Sequence, residues 1–257
     1  MILAIDMGNT NTVIGGIDEK KTHFIERVTT DQGRTATEYA VTIKNILEMH
    51  EVSPREIEGA ILSSVVPPLN ATILSAVKKV LGIRPLLVGP GIKTGINILM
   101  DNPKTVGSDM IVDAVAASHE HPLLLIIIDM GTATTMSVVD KKGNYIGGVI
   151  LPGLKVSLDS LSGKTAQLPY ISLEMPEKVI GKNTIDCMRA GIIFSNADMI
   201  DGILDRMERE LGEPATAVAT GGLARFITPL CRHKIHYDDA LLLKGLLILY
   251  RKNTQAG

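Results

Sequence analysis

The sequence predicts an α/β protein built from a duplicated domain, each copy a mixed sheet flanked by helices. Three observations predict it. Residues 4–18 read AIDMGNTNTVIGGID and residues 127–140 read IIDMGTATTMSVVD, so an apolar strand, an Asp-Met-Gly turn, a Thr-rich run and a second apolar stretch closed by Asp occur twice. The copies lie nearly half the chain apart, which fits one duplication better than an array of short repeats. Each copy opens three strand-like segments that give way to alternating helical and strand-like ones, the order of sheets covered by helices. The chain has 257 residues, 45% of them hydrophobic, enough to bury a core in one large domain or two small ones. The expected halves are 1–115 and 116–257.

In the first half, residues 1–6, 11–17 and 23–29 read as strands joined by short turns. Thr35 and Glu38 form a capping box, and Tyr39, Ala40, Ile43, Ile46 and Leu47 follow at helical spacing. Residues 58–66 read as a buried strand stopped by Pro67 and Pro68, and 69–81 as a helix. Residues 107–121 read as a helical bridge between the halves. In the second half, 123–129, 134–140 and 145–151 are strands, the last two joined by a hairpin turn at 141–144. Helices are expected over 154–161, 184–211 and 239–250, with a short strand over 215–220.

Composition narrows the function. Lys and Arg number 26 against 28 Asp and Glu, a formal net charge of −2, so no basic field condenses on nucleic acid. Five Tyr, three Phe and no Trp offer few platforms for stacking bases, so a nucleic-acid partner is not expected. The apolar content excludes a disordered chain. The apolar run 123–128 is far short of the roughly 20 residues a membrane helix needs. Two cysteines make no disulfide framework, and the N-terminus lacks the pattern of a secretory signal; a cytoplasmic location is expected.

A Gly after an Asp at a strand end lets the backbone turn tightly and approach a ligand. The polar groups of Asn9, Thr10, Asn11 and Thr12 can then converge on an anion. Asp6 would repel a phosphate directly, so its sensible role is to hold Mg²⁺ or the waters of Mg²⁺. Asp129, Gly131 and Thr132 repeat the scheme, and two such hairpins could grip the phosphates of one nucleotide. A single Asp-x-Gly is usually only a turn; its Thr-rich duplication is what points to a ligand. Residues 217–222, AVATGG, add a strand ending in paired glycines, which permits close approach of a flat adenosine. Neither a Walker A sequence nor a dinucleotide fingerprint is present.

These elements in this order resemble the acetate kinase, sugar kinase, heat-shock and actin superfamily, and more narrowly the type III pantothenate kinases. The resemblance covers nearly the whole length and is carried by DMGNTNTV at 6–13, NPKTVGSD at 102–109, DMGTATT at 129–135, GGVILPGL at 147–154, GKNT at 181–184 and TGGLA at 220–224. It implies two ribonuclease H-like, actin-like ATPase halves and ATP-dependent phosphorylation of pantothenate at its primary hydroxyl, the entry step to coenzyme A. It further implies a homodimer, Mg²⁺, and a monovalent cation (K⁺ or NH₄⁺) near Asp129. The ATP-binding residues implied are Asp6, Met7, Gly8, Asn9, Thr10, Asn11, Thr12, Val13, Gly131, Thr132, Gly221 and Gly222. The acceptor-binding set is Met100, Gly107, Ser108, Asp109, Met110 and Thr184, with Asp109 taking the proton of the attacking hydroxyl. From the residues alone, Ser108 or Asp109 would serve as a helix N-cap, and a cap explains Thr184 equally well.

The chain departs from the family pattern where the acceptor binds. Met110 stands where Arg is typical, Asp113 where Asn is usual and Met100 where Tyr is common. Loss of a charge-assisted contact to the pantothenate carboxylate weakens binding by roughly 1.5–3 kcal/mol, about tenfold to over a hundredfold. These departures leave two other readings open: a nucleotide-binding regulator of the Bvg accessory factor type, or a kinase of another small alcohol. His119 and His121, and the group Cys231, His233 and His236, contain metal-ligand types without a four-ligand zinc pattern and read as structural. Met100, Met110, Met130 and Met136 read as fillers of irregular apolar space. Residues 155–164 carry no assigned role.

Overall fold

The computed structural model describes residues 1–254. Along the chain run β1 (Ile2–Met7), β2 (Asn11–Ile17), β3 (Thr22–Thr29), α1 (Ala36–Met49), β4 (Gly59–Ser64), α2 (Asn70–Leu81), β5 (Leu86–Leu87), β6 (Asn97–Ile98) and α3 (Ser108–Glu120). There follow β7 (Leu125–Met130), β8 (Ala133–Val139), β9 (Asn144–Pro152), α4 (Leu154–Lys164), α5 (Thr184–Leu211), β10 (Thr216–Thr220), α6 (Ala224–Ile227), β11 (Ile235–Tyr237) and α7 (Leu241–Thr254). Among the described residues no helix is long and apolar enough to cross a membrane.

The chain forms two compact units. Among the described residues, the first comprises 1–96, 101–119 and 240–254; the second comprises 97–100 and 120–239. The expected division at 115/116 thus falls inside α3, and the C-terminal helix belongs with the first unit. The reason is the central strand. β1 is apolar on both faces, and a strand buried on both faces needs a helix layer on each side. Leu3, Ile5 and Met7 pack with α1 and α2 residues such as Ile43, Leu47, Ile73 and Val77. Ile2 and Ala4 face the other way, onto Leu243, Leu246 and Leu249 of α7 and Val112 and Val115 of α3.

The duplication expected from the echo is present in the topology. In the first unit the strand order is β3-β2-β1-β4-β5, and in the second β11-β10-β7-β8-β9 runs on to β6. In both, the first three strands are antiparallel neighbours, and a later strand, β4 or β10, lies parallel to the strand that ends in Asp-Met. In the second unit, Ile126, Ile128 and Met130 pack with Leu154 and Leu158 of α4 and with Ile192, Ile193, Ile200 and Leu204 of α5. The capping box at Thr35 and Glu38 forms as expected. Three short strands, β5, β6 and β11, went unpredicted, and α4 runs to Lys164 rather than stopping at 161.

His233 belongs to an ionic cluster that fastens the loop before β11 to α5. Asp201, buried at 1% exposure, accepts the backbone N–H groups of Arg232 at 2.7 Å and His233 at 3.1 Å. The His233 ring lies 3.0 Å from Asp201 and 3.2 Å from Asp205. Burial alone would raise the Asp201 carboxyl, but the two N–H donors and the ring hold it below its ordinary value. A depressed native pKa contributes stability that is present above the unfolded value, about 3.9, and lost as pH falls below it. Asp201→Ala strands two backbone donors and is expected to cost about 2 kcal/mol, read as a lower urea midpoint at pH 7 than wild type.

Candidate active site

In the first unit, β1 delivers Asp6 to the end of the sheet, with Val13 opposite on β2 and Ser63 opposite on β4. The turn closes when the Gly8 N–H donates to the Asn11 carbonyl at 3.0 Å. Below it, the Thr30 hydroxyl donates to the Gly8 carbonyl at 2.8 Å. That uses its one proton, so the Thr12 hydroxyl, 2.8 Å away, donates to Thr30. Thr12 is fully buried: its hydroxyl holds the loop from beneath instead of joining Asn9, Thr10 and Asn11, which are exposed at the tip. Met7 is likewise a core residue, and Val13 packs with the α7 side of the sheet. Of residues 6–13, the loop therefore presents Asp6 and the stretch 8–11.

The start of α3 belongs to the same unit. Ser108 is not a cap; its hydroxyl lies 3.1 Å from the Ser63 hydroxyl, donates to the Ser64 carbonyl at 3.1 Å and accepts the Ser64 N–H at 3.2 Å. Asp109 turns its carboxylate back to accept the Met110 N–H at 2.8 Å. A side chain at Gly107 would collide with that carboxylate. Burial pushes the Asp109 carboxyl up from its ordinary value, against the lowering effect of the Met110 N–H. A half-buried carboxylate of raised pKa is a candidate general base. One turn on, Asp113 occupies the same helix face and is buried at 2% exposure.

The second unit repeats the turn with one residue fewer. The Gly131 N–H donates to the Ala133 carbonyl at 3.0 Å, and the Gly153 N–H donates to that of Thr132 at 3.2 Å. Asp129 lies opposite Thr135 on β8 and Thr220 on β10, as Asp6 lies between Val13 and Ser63. Thr134 takes the place of Thr12, opposite Met130, and is fully buried. Gly221 has φ +96°, and a Cβ there would fall 2.6 Å from the Met130 carbonyl and 2.8 Å from Asp129 Oδ1. Only glycine lets β10 turn over this loop toward Gly222. Thr184 is the exposed first residue of α5, and the cap is Asn183, which accepts the Asp186 N–H at 2.9 Å. Met100 also belongs to this unit, beside Gly147.

Three supporting residues escaped the sequence reading. Thr30, Ser63 and Ser64 all buttress turns, and only Ser63-Ser64, polar residues ending an apolar strand, left a visible signal.

The family model of the type III pantothenate kinases matches residues 2–206. The chain belongs to the type III pantothenate kinase family. It is 44% identical over 255 residues to a type III pantothenate kinase of an Exiguobacterium species, covering 99% of this chain and 100% of that one. It is 40% identical over 253 residues to the type III pantothenate kinase of Myxococcus xanthus, covering 98% and 99%. Among solved structures it is similar to a Campylobacter jejuni protein assigned to the Baf family of transcriptional activators (TM-score 0.59, 16% identity, 99% and 100% covered). It is also similar to a ROK hexokinase of Thermus thermophilus (TM-score 0.52, 13% identity, 99% of each). At such identities the structures speak for the fold alone, and the fold is the duplicated actin-like ATPase type. The twin Asp-Met-Gly turns of this type III pantothenate kinase family member are its duplicated feature in sequence and in register alike.

Proposed function

We propose that this chain phosphorylates pantothenate with ATP, making 4′-phosphopantothenate for coenzyme A synthesis. The observation that carries the reading is the repeated Asp-Met-Gly turn, held in the same register in both units, in a chain matched to type III pantothenate kinases over its length. Asn9, Thr10 and Asn11 bring short polar side chains at the exposed tip to phosphate oxygens, and Gly131, Thr132, Gly221 and Gly222 are the second ATP-binding set. Asp6 fits Mg²⁺, because a partly exposed carboxylate at the end of β1 suits an ion that keeps waters and takes substrate phosphates. Asp129 fits a monovalent cation: its Oδ1 and the Met130 carbonyl converge on the space a Cβ of residue 221 would fill. Bound there, the ions neutralise phosphate charge.

The protein's own groups then do the positioning that phosphoryl transfer demands. Asp109 in its ionised form accepts the proton of the primary hydroxyl as that oxygen attacks the γ-phosphorus, and ADP leaves. Gly107, Ser108, Met110, Met100 and Thr184 are the acceptor side. The protein works in the cytoplasm as a homodimer; Ile150, Tyr170, Val179 and Ile180 are large apolar side chains left exposed, the last at 83%, and a second copy that covered them would take apolar surface out of water. Light scattering reads the dimer.

ADP release is expected to require pantothenate, Mg²⁺ and K⁺ together. Turnover indifferent to pantothenate sinks the acceptor assignment. A second reading, a kinase of an uncharged small alcohol, is favoured by α3 itself: its first two turns carry Asp109 and Asp113 and no cation. The same assay run on neutral alcohols separates the two. Met110→Arg adds a fixed cation beside Asp109 and is expected to lower KM for pantothenate by about ten- to a hundredfold, as measured by initial rates at saturating ATP.

A further inference from the structure

In parallel pairing, alternate residues of β4 turn their backbone groups away from β1. Leu62 does so, and its carbonyl accepts the Val88 N–H at 2.8 Å beside β5. Ser64, two residues on, points the same way, but β5 pairs only with Ile61 and Leu62. The Ser108 hydroxyl stands in for the missing strand: it takes both the N–H and the carbonyl of Ser64, at 3.2 and 3.1 Å. A hydroxyl has one proton and two acceptor sites. With that proton on the Ser64 carbonyl, the 3.1 Å contact to Ser63 must be donated by Ser63, and Ser108 is saturated. Ser63 is fully buried and lies directly opposite Asp6 on β1.

We propose that Ser63 and Ser108 are positioning residues, a hydroxyl tie that fixes the first turn of α3, and with it Asp109, against the strand pair carrying Asp6. Ser108 thereby leaves the acceptor-contacting set and acts through its neighbour. The tie sets the spacing between the group that takes the proton and the group placed for Mg²⁺, where a misplacement of about 1 Å can cost a hundredfold in rate. The Asp109 carboxylate accepts the next residue's N–H along the helix; Ser108 supplies the lateral anchor. The inference rests on the kinase reading above, since it gives Asp109 a base to be positioned.

The test is steady-state kinetics of Ser108→Ala, Ser63→Ala, their double variant and Ser108→Thr in the full chain. Both single alanine variants are expected to lower kcat by about ten- to a hundredfold with KM for ATP unchanged. The double variant should cost no more than Ser108→Ala, because both act through one bonded unit. Ser108→Thr keeps the hydroxyl and should restore kcat to within about threefold of wild type. Wild-type kcat in Ser108→Ala, or a threonine variant as impaired as the alanine one, overturns the tie. If Ser108→Ala does not fold, Ser63→Ala decides alone: it leaves both bonds to Ser64 in place, and an undiminished kcat rejects the proposal. A wild type that forms no ADP with pantothenate overturns the kinase reading instead, and the tie falls with it.

Discussion

Replacing Asp109 by Asn is expected to lower kcat by about 10²–10⁴ while the melting temperature stays level or rises. Asparagine keeps the shape of the side chain and an oxygen that can accept the Met110 N–H, now 2.8 Å from Oδ1. What it loses is the ability to take a proton. The stability half follows from the sign of the pKa shift. Burial raises the Asp109 carboxyl above its ordinary value of 3.8, so the native state holds the proton more tightly than the unfolded chain. The stability this lends is present below the unfolded value and is lost as pH rises through the raised one. Above the raised value the fold carries a desolvated charge that asparagine removes. Activity runs the opposite way, since the base must be ionised: its acid limb should sit above pH 3.8 in wild type and vanish in the variant. A variant keeping a tenth of wild-type kcat would falsify the role of Asp109 as base.

The fold was legible wherever burial and covalent order say the same thing. β1 and β7 are continuous apolar runs ended by Asp, and continuous runs are what a strand covered on both faces requires. α5 begins after Asn183 and ends before Gly212, a polar cap and a left-handed C-terminus, and both signals stand in the sequence. β5, β6 and β11 were invisible because two or three residues carry no period; pairing defines them. The place of α7 was hidden for a related reason. Its apolar face is plain in the sequence, but which sheet it covers depends on the uncovered face of β1.

The loop residues were half legible. Residue types announced a polar turn, yet strand alternation already separates them: Thr12 is in step with Ile14 and so faces inward, while Asn9 and Thr10 precede the strand. The Ser63–Ser108 contact joins positions 45 apart and has no local sequence signal. The departures at Met110 and Asp113 were visible as letters; the burial of Asp113 was not.

Gly221→Ala should damage the second unit on two counts, backbone conformation and close contact. The backbone there, at φ +96°, costs an L-residue roughly 1–3 kcal/mol. Its new Cβ would press on the Met130 carbonyl at 2.6 Å and Asp129 Oδ1 at 2.8 Å, and the first of these is backbone that cannot swing aside. The Asp129 turn must move, so KM for ATP is expected to rise by about a hundredfold and the melting temperature to fall by about 4–10 °C. Gly212→Ala isolates the conformational part. Gly212 has φ +78° and open space where its Cβ would stand, so the substitution carries only the left-handed cost, about 1–2 kcal/mol, and leaves ATP kinetics alone. If Gly212→Ala raises KM for ATP as much as Gly221→Ala does, general loosening of the unit explains both, and the turn beside Asp129 has no special claim on the nucleotide. If only Gly221→Ala does, the turn beside Asp129 is what serves the nucleotide.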